Sequence, residues 1–248
     1  MNSFKQLFLA NLKILYRNRG GIFWTILMPA FIFTALAVLP VGQSETGGIR
    51  YSNFLLPGIL AMAIMQSGIY GLAYWMVDLK SRGVIKRFLV TPLKDWQLIL
   101  AVISSRTLVI FVQVVVLTII GVVFFHSTFA GNILSIILLT VLGAGIFLLF
   151  GLLISNFASS YESAAPITTA IGLPLTFLGN IFFPIESLPT ALKLFAKALP
   201  ITYLADGMRQ AYLFAFDFNK IGKDILILSI WLAVMLVLTF SVFKLRED

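Results

Sequence analysis

Residues 98 to 125 read LILAVISSRTLVIFVQVVVLTIIGVVFF, and Arg106 is the one charge in the run. About 20 helical residues cross the roughly 30 Å hydrocarbon layer of a bilayer, so a stretch of this length and composition reads as a membrane span. Outward from it lie five more runs without a charged residue, at 22–41, 54–77, 132–155, 164–183 and 225–243. Each could instead be a buried helix of a large soluble core, but the chain has only 248 residues, 60% of them hydrophobic and 11% charged. A typical soluble domain is about 25% charged, and too little polar chain remains here to surround six such helices. Barrel strands would be segments of about 10 residues with alternating polarity, which these unbroken runs lack. The expectation is an all-α integral membrane protein with six transmembrane helices in a lipid bilayer.

A net charge of +8 would suit nucleic acid, but the positions of the basic residues argue for membrane orientation instead. Lys5, Lys13, Arg17 and Arg19 precede the first run. Lys80, Arg82, Lys86, Arg87 and Lys94 fill the connection 78–97, and Lys244 and Arg246 close the sequence. With Arg106 these are twelve of the 18 Lys and Arg; the other six are Arg50, Lys193, Lys197, Arg209, Lys220 and Lys223. The positive-inside bias places both termini in the cytoplasm, as an even number of spans requires, and no nucleic-acid partner is expected. Trp24, Trp75 and Trp96 then fall at cytoplasmic span ends, where amphipathic rings prefer to sit. No short apolar stretch ends in a small-residue cleavage site before Ile22, so no removed signal peptide is expected.

Three segments do more than span. Residues 1–20 read as an interfacial helix, with Gln6, Lys13 and Arg17 on one side and Phe4, Phe8, Leu12 and Leu15 opposite. The fifth run is punctuated by Pro166, Gly172, Pro174 and Gly179, which are candidate hinge positions, because proline inside a span frees backbone groups that neighbours must satisfy. It is either a kinked packing helix or a segment that lines a pathway or moves. Residues 184–224 are neither polar enough for a plain loop nor apolar enough to span. Leu188, Leu192, Phe195 and Leu199 recur at helical period, Pro200 breaks the run, and Leu204, Met208, Ala211 and Tyr212 begin another. Two short amphipathic helices dipping into the outer leaflet fit this pattern, with an ordinary folded cap as the alternative.

Chemistry of its own is hard to find in the chain. There is one histidine, His126, and no cysteine, which leaves no zinc constellation, no disulfide framework and no Gly-x-Ser-x-Gly nucleophile turn. The span centres are uncharged, with Asp78, Glu162 and Arg106 near predicted span ends, so no ion-coupling group stands at mid-membrane depth. Gln66, Gln113, Thr118 and Asn180 are the deeper polar groups, each either helix-packing glue or a contact along a pathway. A Walker A loop requires Gly-x-x-x-x-Gly-Lys-Ser/Thr, and the only Gly-Lys pair, Gly222 and Lys223, is followed by Asp224. Any energy for uphill movement would come from another polypeptide.

The connection 78–93 reads DLKSRGVIKRFLVTPL, a basic, glycine-containing stretch ending in Thr-Pro. It resembles the loop after the second span in the permease subunits of type-2 ABC transporters. Asn53-Phe-Leu-Leu-Pro-Gly58 is similar to that family's opening of span two. Phe183-Pro-Ile-Glu-Ser-Leu-Pro189, followed by Leu199-Pro-Ile-Thr-Tyr203 and Arg209, resembles its outer re-entrant segment. Each motif alone is weak, but the ordered set covers nearly the whole chain. One departure stands out: the family often has acidic residues just before the glycine stretch, where this chain has Leu79 and Ser81 with Asp78 displaced.

The resemblance implies a single type-2 ABC transmembrane domain over 1–248, with a cytoplasmic coupling helix within 78–97 and an outer re-entrant segment over 184–224. It implies that Arg82, Gly83, Lys86, Arg87, Thr91 and Pro92 couple the chain to an ATPase. It also implies two copies of an ABC ATP-binding subunit that carry the ATP and Mg, a second permease copy or homologue, and a multi-pass location in a plasma membrane, most readily a prokaryotic one. The expected activity is outward movement of an amphipathic drug, lipid or lipid-linked polymer by alternating access, without a catalytic residue, cofactor or metal in this chain. A passive channel or small ion-coupled carrier that needs no ATPase is the alternative, and a membrane anchor for a cytoplasmic complex is a third reading.

Overall fold

The computed structural model describes residues 3–39, 45–46, 49–89, 95–214 and 218–242. These form helices α1 (Ser3–Arg17), α2 (Arg19–Val38), α3 (Tyr51–Ser81), α4 (Val84–Leu89), α5 (Asp95–Phe125), α6 (Ile133–Phe157), α7 (Tyr161–Leu178), α8 (Thr190–Ala196), α9 (Pro200–Leu213) and α10 (Phe218–Val242). A two-residue antiparallel pair, Glu45–Thr46 with Ile49–Arg50, precedes α3.

Helix α3 is the hub. It is 31 residues long, its most apolar window is 78% buried, and α2, α5, α6, α7 and α9 all pack on it. Its closest partner is α6, and small residues set that approach. A Cβ on Gly68 would lie 2.6 Å from that of Phe147, and a Cβ on Gly151 would lie 2.6 Å from the Gly68 carbonyl oxygen. Lipid tails are as apolar as leucine, so helices associate in a bilayer through such close packing. The core runs along this axis through Leu55, Ile59, Leu60, Ile64, Met65, Ile69 and Phe147, all fully buried.

Among the described residues five helices are long and apolar enough to cross a membrane: Arg19–Val38, Tyr51–Ser81, Trp96–Phe125, Ile133–Phe157 and Ile221–Val242. They match five of the six runs read from sequence. Helix α7 is not among them, because its 18 residues include Tyr161, Glu162 and Ser163 at the start and two prolines, with no longer apolar stretch to offset them. The run 164–183 assigned to it is helical only to Leu178, and Asn180 lies beyond its end with a positive φ of 56°.

The two ends of the bundle differ. At one end α1 packs against α5. Of the expected stripe Phe4, Phe8, Leu12 and Leu15, Leu15 is buried and the other three are half-buried, while Asn11, unexpectedly, is buried beside Leu15 and Leu7 stands against the core. The Asn11 side-chain amide donates to the Leu7 carbonyl at 3.0 Å, so a polar residue sits on the packed face without an orphaned donor. Asn18 then caps α2 by accepting from the Gly21 amide at 3.0 Å, and α4 follows α3 at the same end. The opposite end carries α8 and α9. Pro200 opens α9 at its first position, where a missing N–H costs nothing. The predicted stripe Leu204, Met208, Ala211 and Tyr212 is buried against α3, α6 and α10. Helix α8 packs mainly on α7 and the preceding turn and leaves Leu192, Leu194 and Phe195 exposed, while Thr202 of α9 donates to its Ala196 carbonyl at 2.7 Å.

Candidate functional site

Between α2, α3, α5 and the start of α7 lies a cavity of about 570 Å³, in the half of the bundle that carries α1 and α4. One wall is aromatic: Tyr70, Tyr74 and Tyr161 follow one another with ring centroids 6.1 and 5.8 Å apart. Tyr74 Oη shares a hydrogen bond with Thr168 Oγ1 at 3.1 Å, which ties α3 to α7. Trp24 and Met28 on α2 and Tyr161 on α7 form an exposed rim.

The opposite wall contains Gln113, whose role follows from a proline. Pro29 lies inside α2 and has no N–H to give the Thr25 carbonyl one turn back. Gln113 Nε2 of α5 donates to that carbonyl at 2.7 Å, and Gln113 Oε1 accepts from Ser67 Oγ of α3 at 2.7 Å. One side chain thus repairs a helix break and joins three helices beside the cavity. Gln66, adjacent to Ser67, also lines the space.

Arg106 is the only charged residue among those lining the cavity. It lies eleven residues beyond the start of α5, about 16 Å along the helix axis. The sequence suggested a position near a span end within reach of water. Arg106 is half-buried, and its guanidinium turns to the Trp75 ring, its central carbon 5.2 Å from the centroid. A Cβ on Gly71 would lie 3.2 Å from Nη1, so the glycine leaves room for it against α3.

At the other end a second arginine closes the bundle. Arg209 of α9 is buried; its Nε donates to the Phe54 carbonyl at 3.1 Å, Nη1 to Asp206 Oδ1 at 3.0 Å, and Nη2 to the carbonyls of Asn180 and Ile181. Its central carbon stands 3.7 Å over the Phe54 ring. Asn180 donates through Nδ2 to Asp206 and accepts the Ile185 amide at 3.1 Å. Burial pushes the Asp206 carboxyl above its usual range, and Arg209 and the Asn180 bond oppose that shift. These groups staple the start of α3, the end of α7 and α9 together.

A family model described as ABC-2 type transporter matches residues 2–213. The chain belongs to that family. Among curated relatives, Inner membrane transport permease YadH of Escherichia coli K12 is 26% identical over 169 residues, covering 67% of this chain and 64% of that protein. Probable multidrug ABC transporter permease YbhR of the same organism is 25% identical over 192 residues, 77% of this chain and 50% of that one. Putative transport permease YvfS of Bacillus subtilis 168 is 21% identical over 257 residues, with 100% and 99% covered. The match therefore spans under two thirds of the length of YadH and half that of YbhR.

Within this chain the sequence-predicted groups separate. Gln66 and Gln113 meet in the cavity, whereas Thr118 lies further along α5, bonded to the Val114 carbonyl and to the Tyr212 hydroxyl. Asn180 belongs to the staple. Gly172 of α7 stands where a Cβ would meet the Tyr70 hydroxyl, so it serves a close approach of two helices. Pro166 and Pro174 lie inside α7 and face outward, and Gly179 is its C-cap. Arg82 pairs with Asp78 at 2.8 Å at the end of α3, Gly83 turns the chain at φ 66°, and Arg87 is exposed on α4. Lys86 lies in α4, while Thr91 and Pro92 fall outside the described residues. Sequence reading missed the tyrosine ladder and the inward turn of Arg106. An isolated charge deep in an otherwise apolar run was the available signal for the latter.

Proposed function

We propose that this chain is the membrane-spanning permease subunit of an ATP-driven ABC exporter, energised by a separate ATP-binding subunit. It moves an amphipathic drug, lipid or lipid-linked polymer outward by alternating access. The observation that carries this reading is the pairing of an aromatic, mostly apolar cavity at the α1/α4 end with the Arg209 staple at the α8/α9 end. Mainly apolar walls with a few polar groups are what a binding site for an amphipathic molecule requires. On this reading the α1/α4 end and both termini are cytoplasmic, α7 is the sixth span, and α8 and α9 form the outer re-entrant segment.

Two ATP-binding subunits hold ATP and Mg, a second permease copy or homologue completes the membrane unit, and Arg82, Gly83, Lys86, Arg87, Thr91 and Pro92 receive the ATPase motion. The relatives named as inner membrane and multidrug permeases support a multi-pass location in a bacterial inner membrane. The test is purification from the native cell followed by reconstitution in vesicles. An ATP-binding subunit should co-purify and cargo movement should stop without ATP. Movement by the permease alone, without ATP, would establish the passive channel or carrier instead.

A further inference from the structure

We infer that Arg106 makes the cavity a site for an anionic amphiphile, a molecule whose phosphate-type headgroup binds the guanidinium while its alkyl chain lies along the cavity wall. This inference rests on reading the cavity as the cargo site. Arg106 has no carboxylate partner and no hydrogen-bond acceptor among the described residues, and no acidic residue lines the space. Asp78, one turn beyond Tyr74, is already engaged by Arg82 at 2.8 Å. Arg106 is half-buried at the open cavity, so a ligand can reach its N–H donors, and against mostly apolar walls such a charge favours a counter-charge or a set of acceptors.

Trp75 does not fill that role. The ring stands 5.2 Å from the central carbon and offers no carboxylate or carbonyl acceptor, whereas the five N–H donors form a fork that suits carboxylate and phosphate oxygens. That fork is supplied to the cavity, not to the protein. Arg17 and Arg19, both exposed, flank the cavity residue Asn18 and add positive potential at the α1–α2 junction. An alkyl chain has a matching surface in Ile22, Met28, Val109 and Ile110, and the exposed rim of Trp24, Met28 and Tyr161 gives lateral access from the lipid phase. A small inorganic anion would leave most of this surface unused.

The experiment uses the full-length permease in nonionic detergent with Trp24, Trp96 and Trp231 replaced by Phe, so that Trp75 reports alone. Lipids with brominated acyl chains are titrated in, with either a phosphatidylglycerol or a phosphatidylcholine headgroup. Half-quenching should need about tenfold less of the anionic lipid, as expected for one charge-assisted hydrogen-bonded contact. R106Q should erase the preference and R106K should keep most of it, with thermal unfolding of both variants unchanged. Equal quenching by the two lipids, or an R106Q variant that keeps the preference, overturns the proposal. Displacement by inorganic phosphate beyond that by sodium chloride of equal ionic strength would identify a free-anion site and overturn the amphiphile. If the preference holds but the anionic lipid leaves ATP hydrolysis by the assembled transporter unchanged, anion binding stands and the cargo reading fails.

Discussion

Replacing Gln113 with leucine should destabilise the protein by about 2 kcal/mol, and the same replacement should be nearly harmless once Pro29 is alanine. Interhelical hydrogen bonds in membranes average about 0.6 kcal/mol and reach about 1.7 kcal/mol. The two bonds of Gln113 fall unequally in that range. Ser67 can turn its hydroxyl to a carbonyl of its own helix, so its bond stands at the low end. The Thr25 carbonyl has no donor from residue 29, because proline has none, and leaving a buried acceptor unpaired costs about 1–3 kcal/mol. In P29A the new amide points along a continuous α2 at the Thr25 carbonyl, so Gln113 becomes dispensable. Reversible unfolding of the four proteins of this cycle in mixed micelles gives the coupling, expected at about 1 kcal/mol or more. A Q113L penalty of the same size in both backgrounds would refute the idea that Gln113 repairs the proline break.

Three further outcomes are expected. R209M should cost about 3 kcal/mol in the same unfolding assay, the low end for breaking a buried pair, because the Asp206 side chain is 36% exposed and can rehydrate; a loss under about 1 kcal/mol would mean that the staple does not hold the α8/α9 end. K86E with R87E should weaken co-purification of the ATP-binding subunit, because like charges facing each other across an interface cost several kcal/mol. Topology reporters must show normal insertion for that result to count, and unchanged ATPase binding would leave both residues as solvated, orientation-setting charges. P174A should alter transport rate more than assembly, whereas equal loss of insertion and transport would mark the proline in α7 as purely structural.

The helices α2, α3, α5, α6 and α10 were legible in the sequence because hydrocarbon thickness fixes their length and excludes charge, and both constraints act residue by residue. The buried stripe of α9 was legible from the helical spacing of Leu204, Met208, Ala211 and Tyr212. On α1 the expected Leu15 is buried, but the place of Asn11 beside it was not legible, since Asn11 satisfies itself on the Leu7 carbonyl and so can occupy a buried face that composition would deny it. The partners of the polar groups were invisible for a different reason. Gln113 meets a carbonyl 88 residues away and Arg209 one that is 155 residues away. Such bonds depend on which helices become neighbours, and no spacing rule within one helix contains that information. Arg106 falls between these cases: a lone charge in an apolar run was visible and was read as a span-end group, but its direction depended on Trp75 and Gly71 of α3.

The distribution of bonds between the two ends bears on how the proposed movement would begin. Around the cavity, α2 is joined across its proline by one glutamine, and α7 is joined to α3 near its start by the Tyr74–Thr168 contact. At the α8/α9 end a single guanidinium engages three carbonyls and a carboxylate over an aromatic ring. Separating the helices at the cavity end therefore costs a few weak side-chain bonds and no helical ladder. Separating them at the other end strips a buried cation of every partner. If the chain works by alternating access as proposed, the stapled end would be the pivot during loading and its opening the step with the larger cost in broken contacts.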